Sequence, residues 1–224
     1  MTAHRCIYCA EPSLFTVCSE CVHKNTADAF HERMRELEEV KLLCGVPKNL
    51  ITARLDEDDP VVYPMDPGIF LHGLPGRGKS YIAAALVHER LVMLAKLTPP
   101  ECVYFLGVGW WSAPGLYQRI SRNIHEQDMP EEEAARLAGS TKFLVLDDLG
   151  SEKMSEWRAQ TLLNVLSLRE SLNLPTIITS QYTLKDLEHM YGHVGEAITS
   201  RIEALCAKHR VTGPDRRRRA VRGN

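Results

Sequence analysis

Residues 73–80 read Gly-Leu-Pro-Gly-Arg-Gly-Lys-Ser, a complete G-x4-G-K-S phosphate loop, and no other stretch restricts the fold so tightly. The motif needs an apolar strand before it and a helix after it. Both are predicted, as Ile69–Leu71 and as a helical pattern over Ser80–Ala95. Gly73, Gly76 and Gly78 let the backbone curl until its amides point inward, and the helix start adds its positive dipole end. Pro75, Arg77 and Tyr81 complete the expected nucleotide-binding segment. Lys79 would reach the β and γ phosphates, and the Ser80 hydroxyl would coordinate Mg²⁺.

A second motif matches the first. Phe143-Leu-Val-Leu-Asp147-Asp148 reads as a strand ending in two acids, 68 residues after Lys79 with a helix-strand-helix passage between. Asp147 would hold Mg²⁺ through water, and Asp148 stands where a carboxylate can orient or deprotonate an attacking water. An additional strand between the two motifs is expected of the ATPase branch of phosphate-loop proteins. A small-molecule kinase is disfavoured, because the second acid suits attack by water.

The rest of the chain beyond Pro67 supports this class. Short apolar runs at Val103–Val108, Thr176–Thr179 and Arg210–Thr212 alternate with helical patterns at Leu116–Ile124, Glu131–Leu137 and Glu156–Leu172. Such alternation predicts an α/β fold, a central parallel sheet with helices on both faces. At 224 residues there is room for one such domain and a small appendage. With 44% hydrophobic and 25% charged residues the chain is of ordinary globular composition, and nothing in it approaches a membrane span. The N-terminus has no apolar core of a secretory signal, so a cytoplasmic protein with reduced thiols is expected.

The appendage announces itself in the cysteines. Cys6, Cys9, Cys18 and Cys21 form a C-x2-C-x8-C-x2-C array, whose two pairs would complete a tetrahedral thiolate shell for Zn²⁺. So short a segment would take its folding energy from the metal. Cys44, Cys102 and Cys206 are scattered and read as structural. Phe30, Met34, Leu37, Val40 and Leu43 then mark an amphipathic helix joining the module to the next domain. The predicted organisation is a zinc module over 1–24, a linker helix over 25–44, the nucleotide-binding core over 45–213 and a basic tail over 214–224. That tail carries five arginines, so the net charge of −2 conceals an acidic body.

These motifs, in this order, resemble the AAA+ helicase-loader family, the DnaC/DnaI group, with the transposition helper IstB as its relative. Over residues 45–216, Gly45-Val46-Pro47-Lys48 resembles the family's lead-in. Asp147-Asp148-Leu149-Gly150 with Glu152 and Trp157 resembles its acidic motif. Pro175-Thr-Ile-Ile-Thr-Ser180 resembles the sensor-1 strand, with Gln181 where the family favours Asn. Ser200-Arg201-Ile202 resembles the arginine-finger segment, although Arg201 also reads as a helix residue in a local ion pair. Gly213-Pro-Asp-Arg216 resembles the sensor-2 stretch, in which Arg216 would touch the nucleotide, and it leaves no room for the usual helical lid.

The resemblance implies an ATPase using ATP and Mg²⁺ that loads the replicative hexameric DNA helicase onto single-stranded DNA, assembling with itself or on the helicase. The zinc module, by likeness to DnaI-like loaders, would dock on the helicase. Two other readings remain. One is an IstB-like helper that binds duplex DNA in transposition, and the other is a zinc adaptor with a purely structural nucleotide site. Trp110 and Trp111 read either as core residues or as a platform for bases, and Arg119 and Arg122 resemble in position the family's DNA-facing element.

Overall fold

In the central strands of the sheet, alternate residues face two different cores. Ile69 and Leu71 of β3 (Ile69–His72) pack on one side and Phe70 on the other, and Ile177 and Ile178 divide likewise in β6 (Thr176–Ser180). The computed structural model describes residues 4–5, 12–13, 37–55, 68–97 and 107–215. The sheet has five strands, all parallel, in the order β4 (Val108–Ser112), β5 (Phe143–Leu149), β6, β3, β7 (Ala207–Arg210). β6 thus lies in space between the strand of the phosphate loop and the strand of the acidic pair.

Two expected strands shift. Of the run at Val103–Val108, the described end, Val108, pairs with β5, and the strand continues to Ser112. Gly107, at φ +60°, turns the chain just before it. The register Val108↔Phe143 to Ser112↔Asp147 then draws both tryptophans into the strand instead of leaving them after it. Residues 103–106 lie outside the described residues. The last strand likewise falls at Ala207–Arg210, ahead of the expected 210–212, where it pairs with Ile69–His72.

The helices α2 (Lys79–Leu97), α3 (Ala113–Glu126), α4 (Glu131–Gly139) and α5 (Glu156–Ser171) stand where periodicity put them. α6 (Leu184–Met190) and α7 (Gly195–Leu205) are additional. α6 starts on a capping box, in which the Thr183 side chain accepts from the Asp186 N–H and the Asp186 carboxylate accepts from the Thr183 N–H. α3, α4, α5 and α7 share one core, against the Phe70 and Ile178 face. α2 lies on the opposite face.

That second face holds a finding about the linker. Ile82 through Val87 of α2 are essentially fully buried, far more than one sheet can cover. The extra cover comes from residues 37–55: Leu37, Val40, Val46 and Ala53 join the same core. Over its described part, residues 37–43 (α1), the helix expected as a connector is therefore a layer of the nucleotide-binding unit. Lys41 is wholly buried there and donates from Nζ to the Ile51 carbonyl at 2.5 Å. Near the N-terminus, β1 (His4–Arg5) and β2 (Pro12–Ser13) pair antiparallel. The four zinc-candidate cysteines, Cys6, Cys9, Cys18 and Cys21, lie outside the described residues.

Candidate nucleotide-binding site

Parallel strands end together, so residues just past the ends of β3, β5 and β6 meet along one rim of the sheet. Gly73 leaves β3 at φ +142°, and its amide donates to the Ser180 carbonyl at the end of β6. A side chain at Gly73 would collide with the Val211 carbonyl, 2.5 Å from the Cβ position, so the strand-to-loop exit requires glycine. Gly76 and Gly78 are also left-handed, at φ +76° and +96°. Lys79 is buried, and its ammonium donates to the Gly73 and Leu74 carbonyls at 2.7 and 3.1 Å. The cation that would meet phosphate is thus held at the loop by the loop itself. Leu74 stands exposed at its tip. Tyr81, in the first turn of α2, accepts from the Arg54 amide at 3.5 Å and so ties the lead-in segment to the loop helix.

The loop and the acidic strand are joined directly. Ser80 Oγ donates to Asp147 Oδ1 at 2.8 Å, and Thr179 Oγ1 donates to the same oxygen at 2.6 Å. Burial pushes the Asp147 carboxyl up from its ordinary value, while the Thr179 and Ser80 hydrogen bonds oppose that rise. A hydroxyl and a carboxylate oxygen in contact are hard donors of the kind Mg²⁺ takes, so the pair fits the ion.

Asp148 is exposed and sits at φ +60°, a backbone state that costs most residues energy but suits Asp. The β5–β6 register slips between Leu146 and Leu149 to accommodate it. Its amide donates to Thr179 Oγ1 at 2.8 Å. Thr179 therefore serves both acids at once, through its oxygen to one amide and through its proton to one carboxylate. Sequence reading placed it only as a strand residue. Its position next to the sensor-1 end of β6 was the available clue.

Gln181 follows Ser180, whose strand lies between β3 and β5, so it stands on the same rim. Arg201 is on α7, a third exposed at its side chain, and turned to α5. There its Nε donates to Ser167 Oγ at 2.7 Å and lies 3.4 Å from a Glu170 carboxylate oxygen. The local ion pair is thus the arrangement this structure holds. Arg216 lies outside the described residues. Its neighbour Asp215 does not, and the position a Cβ on Gly76 would take is 2.1 Å from Asp215 Oδ1. An acidic side chain packs against the phosphate loop, which nothing in the motif foreshadows.

The two tryptophans differ in burial. Trp110 is 4% exposed and belongs to the α2-side core. Trp111 is half-buried, with the exposed Arg119 guanidinium 5.4 Å from its ring centre. Together with Ser112, Gln118, Arg122 and Asp147 they line a cleft of about 550 Å³. One side of the acidic site therefore opens onto an arginine- and tryptophan-bearing groove.

A phosphate loop on a parallel sheet, with a carboxylate bonded to its serine and a strand inserted between, defines an ATP-binding α/β domain of the AAA+ kind. Residues 65–223 match the IstB-like ATP binding protein family, and the chain belongs to it. It is 29% identical over 160 residues to the replicative helicase loader DnaI of Bacillus subtilis (strain 168), an alignment covering 67% of this chain and 47% of that one. The chain thus spans about half the length of that relative. A solved structure of DnaI superposes with a TM-score of 0.55 at 28% identity, covering 76% of this chain and 93% of that chain. The structure of the DnaC helicase loader superposes at 0.54 with 20% identity, covering 74% and 100%, and shares the fold. Among the described residues, no helix is long and apolar enough to cross a membrane.

Proposed function

We propose that this protein is an ATP-hydrolysing switch that loads a replicative hexameric helicase onto single-stranded DNA. The observation that carries the reading is the hydrogen-bonded line from Ser80 through Asp147 to Thr179, which couples the phosphate loop to the turn bearing Asp148. The likeness to DnaI supplies the partner.

In this reading the loop amides and Lys79 bind the triphosphate, with Ser80 and Asp147 placed to hold Mg²⁺. Bound there, the ion would neutralise charge developing on the phosphate oxygens. Asp148 orients the attacking water and accepts its proton. Gln181, at the end of β6, contacts the terminal phosphate or that water through its amide. Arg201 acts across an assembly, on the nucleotide of a neighbouring copy. Its present ion pair with Glu170 is partly exposed and so worth only ~0–1 kcal/mol, little enough to be exchanged for phosphate. Residues 1–24, holding Zn²⁺ on Cys6, Cys9, Cys18 and Cys21, form the helicase-docking module. Residues 25–44 connect it to the ATPase core over 45–213, their described part, 37–43, packing on α2 as a layer of that core, and 214–224 form a basic tail in which Arg216 senses nucleotide. Arg119 and Arg122 with Trp111 present the single-strand surface.

ATP turnover measured with helicase and single-stranded DNA is the direct test. Turnover lost in Lys79→Ala and stimulated by both partners supports the switch, and an unaffected Lys79→Ala sinks it. Co-purification of the full chain with helicase, but not of Cys18→Ser/Cys21→Ser, supports the docking role. Duplex binding without helicase affinity would replace loading by the transposition reading. Mixing Lys79→Ala with Arg201→Ala checks the finger, since turnover restored in the mixture requires Arg201 to act in trans.

A further inference from the structure

Glu152 is a buried carboxylate, 6% exposed, that the nucleotide chemistry above does not use. Its Oε2 accepts from the Gly150 amide at 2.9 Å. Its Oε1 accepts from the Tyr191 hydroxyl at 2.7 Å and, more weakly, from the Tyr117 hydroxyl at 3.5 Å. Both tyrosines are 2% exposed. Burial first, and the nearby carboxylate with it, pushes both phenols up, so they stay protonated and remain donors.

The turn this carboxylate closes has an unusual backbone. Asp148 at φ +60° and Gly150 at φ +90° are two left-handed residues in three, and the Ser151 amide reaches back to the Asp148 carbonyl at 3.2 Å. Gly150 has no room for a side chain, since a Cβ would lie 2.8 Å from the Tyr182 ring. Such a backbone persists only where its surroundings over-determine it. Two groups do so: Thr179 at the Asp148 amide, and Glu152 at the Gly150 amide. Glu152 also ties that turn to two other elements. Tyr191 ends α6, and Tyr117 lies on α3, the helix that carries Arg119 and Arg122.

We propose that Glu152 is the positioning residue of the hydrolytic turn, holding Asp148 over the rim through Gly150 and linking it through Tyr117 to the arginine-bearing face of α3. This rests on the reading of Asp148 as the residue that handles water. It assigns Glu152 to turnover and not to nucleotide binding, because none of its hydrogen bonds reaches the phosphate loop.

The test uses the full chain with Glu152→Gln, Tyr191→Phe and Lys79→Ala, measuring steady-state ATP turnover, binding of a fluorescent ADP analogue, and thermal melting. A misaimed Asp148 is expected to lower kcat by about tenfold or more in Glu152→Gln, with KM and ADP affinity changed by less than about twofold. Tyr191→Phe keeps the ring and loses one donor, so a smaller fall in kcat of the same pattern is expected. It also serves if Glu152→Gln fails to fold. Unchanged kcat in a folded variant, or equal losses in ADP binding and turnover, overturns the inference while leaving the ATPase reading intact. Wild-type turnover no greater than that of Lys79→Ala overturns both.

Discussion

At the scale of single residues, the hydroxyl of Thr179 has two jobs that no other described side chain shares. It fixes the Asp147 carboxylate and satisfies the amide of the strained Asp148. Thr179→Val keeps the shape and removes both bonds. It leaves the part-buried Asp148 amide without its acceptor and the Asp147 carboxylate with one donor fewer, so a stability loss of about 1–2 kcal/mol is expected by chemical denaturation. Turnover should fall by about tenfold while ADP affinity holds. Asp215 is expected to act against binding. A carboxylate packed against Gly76 repels the phosphates that the loop amides attract. Asp215→Asn is expected to tighten ATP about threefold, a gain that shrinks as salt is raised. Equal affinities in fluorescence titrations at low salt would contradict this.

At the scale of elements, one buried cation clips three of them together. Arg169 of α5 is fully buried. Its guanidinium donates to the carbonyls of Gly139, the last residue of α4, and Thr141, to the Pro175 carbonyl, and to the Thr176 hydroxyl at the start of β6, all within 2.7–2.8 Å. Burial lowers its pKa to about 10, still well above neutral, so the charge persists. These bonds set where β5 and β6 begin, and hence where Asp147 and Ser180 end on the rim. Arg169→Met strands the four acceptors and is expected to cost about 3 kcal/mol. Arg169→Lys should recover little of it, because an ammonium cannot reproduce the planar fork. Urea melts of both variants measure the difference.

For the molecule as a whole, the packing of residues 37–55 onto α2 makes stability depend on pH. His88 is 5% exposed, and its Nδ1 has no partner among the described residues. Burial, then the charges of Lys41 and Arg54, lowers its pKa to about 4. A depressed histidine pKa means the unfolded chain binds the proton first. The native state therefore loses stability as pH falls from 6.5 toward 4, by up to about 3 kcal/mol, and holds it fully above 6.5. His88→Leu is expected to flatten that acid limb and to add about 1 kcal/mol at neutral pH by removing an unsatisfied nitrogen. Lys41, lowered to about 8 by burial, acts at the other end: its cost is relieved as pH rises from 8 to 10.5. Denaturation midpoints across pH separate the two groups.

What was legible beforehand were the features carried by local pattern. The phosphate loop needs three glycines, a lysine and a serine within eight residues, and short apolar runs and period-3.6 hydrophobicity marked most strands and helices. The α/β class follows from these alone. Strand limits did not, because register belongs to pairs of strands: β5 and Gly107, not the Val103–Val108 run, decide that Trp110 and Trp111 lie inside β4. The same holds within the site. Lys79, Ser80, Asp147, Asp148 and Glu152 were readable as motif residues, whereas the roles of Thr179, Glu152 and Asp215 run through partners 31 to 139 positions away or through a turn's backbone. A motif records what must lie close in sequence. Which buried hydroxyl or carboxylate holds it in place is settled only when the strands ending at residues 72, 149 and 180 are brought to one rim.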